Sequence, residues 1–274
     1  MRSSLEIFDL DRGASRVVWQ TDDLIEAPNW DPVDDTLLFN GGGRLFRIPA
    51  AGGVPQVVDT GFADACNNDH GISPDGSRIA ISHQTEGGSC IFTLPSDGGV
   101  PVRITENTPS YWHGWSPDGA RLAYCAERGG QFDIYTIGVG GGAECQLTGQ
   151  NGPEGHNDGP DYSADGRFIW FNSDRTGHAQ IWRMDARGGN PVQITDDARV
   201  NWFPHPSPDG AKVLYLSYPE GTVGHPADKP VELRLMQPDG SEIRTLAAFQ
   251  GGQGTINVPC WAADGRAFAF VKYA

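Results

Sequence analysis

A chain of 274 residues with 35 acidic and 20 basic side chains carries a formal net charge of −15, a field that repels a phosphate backbone and argues against a nucleic-acid partner. It contains no apolar run long enough for a membrane-spanning helix, so no membrane partner is expected. With 37 glycines, 20 prolines and 38% hydrophobic residues, it suits a globular protein of many short strands rather than a helical one.

The N-terminal stretch MRSSLEIFDLDRGASRVVWQ has no apolar segment of the export-signal type, and the expectation is a cytoplasmic protein. The five cysteines (Cys66, Cys90, Cys125, Cys145, Cys260) are odd in number and lack motif spacing. They read as free thiols in a reducing compartment. Two strands are predicted at the start, over Leu5–Leu10 and Arg16–Gln20.

From there the sequence repeats. The first copy, APNWDPVDDTLLFN, is degenerate. The next five carry an Asp-Gly turn marked by Asp75, Asp118, Asp165, Asp209 and Asp264, at spacings of 43, 47, 44 and 55 residues. Each copy follows one grammar. A short apolar segment enters Ser-Pro-Asp-Gly, where Pro presets φ and Gly supplies a positive φ. An alternating strand follows, then a polar loop, a third strand such as DIYTI or QIWRM, a Gly-Gly turn, and a fourth strand closing on Ile/Leu-Thr (VPVRIT, AECQLT, NPVQIT). Four strands per repeat of about 40–45 residues is the pattern of a propeller blade.

The fold expected is therefore all-β: a single six-bladed β-propeller of four-stranded blades in one domain. The blades fall near 24–65, 66–106, 107–150, 151–195, 196–250, and 251–274 completed by 1–23. The last copy stops after two strands, and the two N-terminal strands complete it, removing exposed edges. The 55-residue spacing places an insertion, Glu220 to Glu232, in blade five as a candidate lid carrying His225. A closed ring is self-sufficient, and a monomer is expected.

The Ser-Pro-Asp-Gly turns, the Ile-Tyr third strand, the Gly-Gly turn and the closing Leu-Thr resemble the propeller of TolB, the periplasmic partner of the Tol–Pal system. The resemblance covers nearly the whole chain, without TolB's N-terminal α/β domain or export signal. The stretches NNDHGISPDG, YWHGWSPDG, NWFPHPSPDG and GGQGTINVP are similar to stand-alone bacterial TolB-like proteins. The resemblance implies an architecture. Similar blades occur in peptidase propellers and in oligogalacturonate lyases, which bind manganese near the channel. No Gly-x-Ser-x-Gly elbow, His-Glu-x-x-His, P-loop or dinucleotide fingerprint occurs here.

In a blade, the segment before the first strand opens at one end of the central channel, and the Ser-Pro-Asp-Gly turns lie at the other. Six segments should therefore converge: Glu26–Asn29, Asn67–His70, Tyr111–His113, His156–Asp158, Asn201–His205 and Gln253–Asn257. Loops that only turn need Gly, Pro, Ser and Asp; these hold imidazoles, amides, carboxylates and large aromatics. Aromatic faces beside amides and acids suit a carbohydrate, and imidazoles with carboxylates suit a divalent metal such as Mn, Ca or Zn.

The candidate catalytic residues are His70, His113, Asp69 and Asp158. Candidate ligand-binding residues are Glu26, Asn68, Tyr111, Trp112, Asn157, Asn201, Trp202, Gln253, Asn257 and His225. Candidate metal ligands are His70, His113 and His205. His70 and His113 stand five residues before their Asp-Gly markers. With no nucleophile evident, proton abstraction by a lyase or isomerase is the reaction class expected of any chemistry. The alternative is a non-catalytic platform that holds a peptide or protein, as TolB does, with an acidic surface preferring a basic partner.

Overall fold

The computed structural model describes residues 2–152 and 154–274. Their strands form six antiparallel sheets, five of them four-stranded. Blade one begins with Glu26–Trp30, blade two with Cys66–Ile72, blade three with Ser110–Trp115, blade four with Asn157–Tyr162 and blade five with Val200–Pro206. In the sixth, Ala267–Tyr273 pairs with N-terminal Ser3–Asp9, which pairs with Ala14–Thr21. Its innermost strand is reduced to a single bridge, Trp261 to Phe268. The ring closes by pairing the two ends of the chain, as the repeat count requires.

The recurrent turn owes its sequence to hydrogen bonding. In blade two the Ser73 hydroxyl donates to Asp75 Oδ1 at 2.6 Å and accepts from the Arg78 amide at 3.0 Å. Asp75 Oδ1 also accepts from the Ser77 amide, and Gly76 takes φ +72°. The same bonds recur around Ser116–Asp118 and Ser207–Asp209. A side chain that binds its own backbone two and five residues on fixes the turn locally, which is why the motif can be written repeatedly.

The closing Ile/Leu-Thr is equally specific. In blades two to four the fourth strand is shorter than the sequence pattern suggests: only two residues pair, at Val102–Arg103, Cys145–Gln146 and Val192–Gln193, whereas blades five and six end on eight-residue strands, Arg244–Gly251 and Ala14–Thr21. Beyond the pair, Thr105, Thr148 and Thr195 each accept, through Oγ1, the third-strand amides of Ile91, Ile134 and Ile181, all at 2.9 Å. The hydroxyl replaces a ladder partner where the edge strand stops, so no buried amide is orphaned.

Blades are stapled to their neighbours by side chains. The indoles of Trp115 and Trp261 donate to the carbonyls of Gly71 and His205 in the preceding blades. Asn29 donates to the Pro259 carbonyl and accepts from the Ile72 amide, tying blade one to both neighbours. The fully buried Trp112 lies against Gly71, where an added Cβ would overlap the indole ring. Gly71→Ala is accordingly expected to cost about 1–3 kcal/mol through overpacking, read as a lower urea midpoint with unchanged m-value. An unchanged midpoint would show that the indole can move aside.

Candidate functional site

Every first strand with a resolved ladder is broken by a bulge at the same level. In blades one, four and five, two residues stand opposite one, and the first of the two has left-handed φ: Ala27 at 54°, Gly159 at 61° and Phe203 at 54°. A bulge bends the strand and re-aims its side chains. For a non-glycine such as Phe203 the left-handed conformation is strained. These bulges form the floor of a cavity of about 620 Å³ at one end of the channel.

Asp158 lies on that floor, 8% exposed. Its Oδ1 accepts from the Gly159 amide at 2.7 Å and lies 3.2 Å from His113 Nε2. Its Oδ2 lies 3.6 Å from His156 Nε2 and 3.7 Å from His225 Nε2. Three imidazoles from three different blades thus face one carboxylate. Each is braced by an aromatic ring: His113 stacks on Phe203, His156 on Phe132 with centroids 4.7 Å apart, and His225 meets the edge of Trp202 at 4.5 Å. His113 Nδ1 meets the carbonyl of Asn257 at 3.3 Å.

The environments separate these groups. Burial alone would push His113 down, but the Asp158 carboxylate, with Asp69, outweighs it and lifts the imidazole to about 9. Burial would likewise raise Asp158, yet His113 and His156 hold it well below the ordinary carboxylate range. His156 is raised, its burial offset by Asp158, while His225 is lowered because burial prevails. Asp69 is pushed up to about 6 by burial, partly offset by His113. Glu26 is raised by burial against the amides of Asn40 and Asn68. Around one carboxylate, then, sit a charged imidazole and a neutral one, the arrangement that separates acid from base.

His225 reaches the cavity from the blade-five insertion. Residues 219–228 form the loop, since Lys229–Met236 is already strand. The Pro226 carbonyl accepts from the Tyr218 hydroxyl at 3.1 Å and from the Gln253 amide at 3.3 Å, which clamps the loop over the mouth.

A family model described as the TolB beta propeller domain matches residues 112–227. An uncharacterized protein of Agrobacterium fabrum is 54% identical over all of this chain and 93% of its own length. The chain belongs to the TolB-like β-propeller family. A TolB candidate solved from Agrobacterium tumefaciens superposes with TM-score 0.96 at 53% identity, covering 100% of this chain and 99% of that one. The TolB of Acinetobacter baumannii shares the fold, with TM-score 0.70 at 20% identity over 92% of this chain and 64% of its own.

Nine of the residues singled out from sequence line the cavity of this TolB-like propeller: Glu26, Asn68, Asp69, Tyr111, His113, Asp158, His225, Gln253 and Asn257. Trp202 stands behind the imidazoles, 4% exposed. Five others lie elsewhere. His70 shares its offset with His113, but residues 67–69 bulge opposite Ser82, and His70 returns to the ladder opposite Ile81. In blade three the bulged residue is His113 itself. His70 is fully buried, with neither ring nitrogen hydrogen-bonded. Trp112 packs against Trp115 and lines the opposite end of the channel.

Asn157 and Asn201 are mortar between blades. Asn157 donates to Asp133, which also accepts from the closing Thr148; Asn201 donates to Gln180, which accepts from Thr195. His205 spends both nitrogens internally, 3.0 Å from Asp161 Oδ2 and 2.7 Å from the Ile256 carbonyl. The three-histidine metal centre expected from sequence is therefore not assembled.

The fit of the remaining groups to a divalent ion is incomplete. Among the described residues, Cys125, His156 and Asp158 bring ligand atoms within 4.8 Å of one another. Burial and the nearby Asp158 charge hold the Cys125 thiol well above its ordinary value, and it donates to the Asn157 carbonyl. With the Cys125 hydrogen engaged on that carbonyl, only His156 and Asp158 of the three are free to ligate, fewer than the three protein ligands of a catalytic zinc site. The sequence reading included His156 in a converging segment without giving it a role. Phe203 has the same standing, inside the segment Asn201–His205 with no role of its own, while Asn40, Cys125 and Phe132 lie on second and third strands, outside the converging segments.

Proposed function

We propose that this TolB-like propeller binds a small polar, carbohydrate-like molecule in the cavity at its channel mouth. The observation that carries the reading is Asp158 facing three aromatic-braced imidazoles inside a space of about 620 Å³, within the ~300–1,000 Å³ of ligand pockets. Buried polar atoms wait there for partners: His156 Nε2, His225 Nδ1 and Asn40 Oδ1 have none, a costly state that a hydroxyl-rich ligand relieves. The chemistry this set supports is proton transfer next to a carbonyl or carboxylate, as in a lyase or isomerase. His225 accepts the proton, His113 donates one to the developing oxyanion, and Asp158 orients both.

Calorimetric titration with monosaccharides and uronates tests the reading. Binding should weaken about ten-fold or more in His225→Ala, the worth of one lost hydrogen bond to a charged or polarised partner. No heat with any of them, or binding indifferent to this variant, would remove it. Stoichiometric zinc or manganese in the purified protein would replace the metal-free chemistry with a metal-assisted one.

A protein-interaction role is the second reading, and the opposite mouth favours it. There Trp30, Pro74, Pro117 and Pro208, backed by the buried Trp115 and Trp261, gather around a smaller cavity of about 270 Å³, and aromatic side chains of this kind are enriched at interfaces. Under that reading a captured polypeptide would be released by changes at this ring and not by His225→Ala.

A further inference from the structure

The cavity has two chemically different sides. The imidazole side surrounds Asp158. The other side is formed by Glu26 and Asn40 of blade one and Asn68 and Asp69 of blade two. It presents acceptors almost exclusively. The Glu26 carboxylate takes amide hydrogens from Asn68 at 3.1 Å and Asn40 at 3.4 Å. Asp69 Oδ2 takes one from Asn67 at 2.8 Å. These bonds leave lone pairs unused on both carboxylates, since each oxygen can accept two. Among the described residues no lysine or arginine lines the cavity, and Glu26 has no cationic side chain within salt-bridge distance.

The amide of Asn40 points the same way. Asn40 is 3% exposed, and its Oδ1 is buried without a hydrogen-bond partner while its Nδ2 serves Glu26. A buried carbonyl oxygen beside a partly desolvated carboxylate, with no donor supplied by the protein, is a debt that a ligand must settle. A neutral hydroxyl offers a single hydrogen. A protonated primary amine offers three, together with a positive charge for Glu26, which has no cationic partner, and for Asp69, whose Oδ1 has only the His113 imidazole, 4.0 Å away. A calcium ion would draw on the four carboxylate oxygens, the Asn40 and Asn68 amide oxygens and waters, so calcium is the competitor from which an amine must be distinguished.

We propose that the Glu26 side is an ammonium subsite, and that the ligand of this cavity is an amino-substituted polyhydroxylated molecule of the amino-sugar class. The proposal rests on the ligand-binding reading above and narrows it. Glu26 and Asp69 hold the ammonium and Asn40 Oδ1 accepts one of its hydrogens. The hydroxylated ring then extends toward Asp158 and the imidazoles.

The test is calorimetry with D-glucosamine, D-glucose and N-acetyl-D-glucosamine, and with the three galactose counterparts, on the wild type and on Glu26→Gln. Each set keeps the ring and changes only the nitrogen. The free amines should bind about ten-fold or more tighter than the hydroxyl and N-acetyl forms, the worth of a charge-assisted hydrogen bond. Glu26→Gln, verified as folded by circular dichroism, should erase that preference and leave the neutral sugars unchanged. Neutral sugars that bind as well as the amines would overturn the ammonium subsite while leaving the cavity a carbohydrate site. An amine preference that survives Glu26→Gln, or calcium chloride competing stoichiometrically with glucosamine, would overturn the assignment to this carboxylate. Failure of all six sugars in the wild type would overturn the ammonium subsite, and with the uronates also silent it would remove the carbohydrate reading as well.

Discussion

Asp158→Ala is expected to lower the free energy of unfolding by about 3–5 kcal/mol near neutral pH. Asp158 and His113 are almost fully buried and stand 3.2 Å apart. Removing one partner leaves the other as an uncompensated buried charge, which costs far more than the pair's net contribution. The cost should depend on pH in a defined direction. The His113 value of about 9 in the folded protein lies above the ~6.5 of an unfolded chain. Its stabilisation is therefore complete below about pH 6.5 and is lost as pH rises through about 9. Wild-type stability should fall across that window, and the Asp158→Ala curve should be flatter. Urea unfolding at several pH values measures both. A cost below about 1 kcal/mol, typical of an exposed pair, together with an unchanged alkaline slope, would show that the pair is not buried as described.

His70 is expected to behave in the opposite sense. Burial alone pushes it down to about 3, so the folded protein holds it neutral while the unfolded chain protonates near pH 6.5. Its depressed value makes the wild type lose about 1.4 kcal/mol for each pH unit below about 6.5, until the folded-state value is reached. His70→Leu should remove that contribution, so the difference between variant and wild type grows as the solution is acidified. At neutral pH the variant should be as stable as the wild type or more so, by about 1–3 kcal/mol, because both ring nitrogens are buried without partners and an apolar side chain of similar size pays no such desolvation. Thermal unfolding between pH 4 and 8 reads the difference directly. A His70→Leu protein that is less stable at every pH, by the same amount, would mean that the imidazole has a partner in solution.

His70 and His113 together show how far the sequence could be read. They share an offset from the Asp-Gly marker, and on that ground both belong in the channel mouth. One additional bulged position in blade two moves Asp69 into the place that His113 holds in blade three. A slip of this kind moves a side chain to another face of the strand, and its cause lies in strand pairing rather than in the spacing of letters. Of the five residues that stand seven before an Asp-Gly marker, Asn68, Tyr111, Asp158 and Asn257 line the cavity and Trp202 stands behind the imidazoles; the first three stand at or before the bulge of their strand. Asn157 and Asn201, one residue earlier, face the neighbouring blade, where an Asp or Gln and a Thr from another strand claim them.

The architecture needed only the sequence. The Ser-Pro-Asp-Gly turns, the alternating strands and the closing Ile/Leu-Thr are stabilised by bonds within a few residues or within one blade, so each repeat announces its own structure and the number of repeats dictates the ring. The site depended on the tertiary structure. Three imidazoles arrive on Asp158 from an inner-strand bulge, from the loop before another first strand and from a ten-residue insertion. Glu26 and Asn40 meet Asn68 across a blade boundary. Those encounters are set by bulge register and by the curvature of the closed ring, which depend on all six sheets together and have no counterpart in any local stretch of sequence.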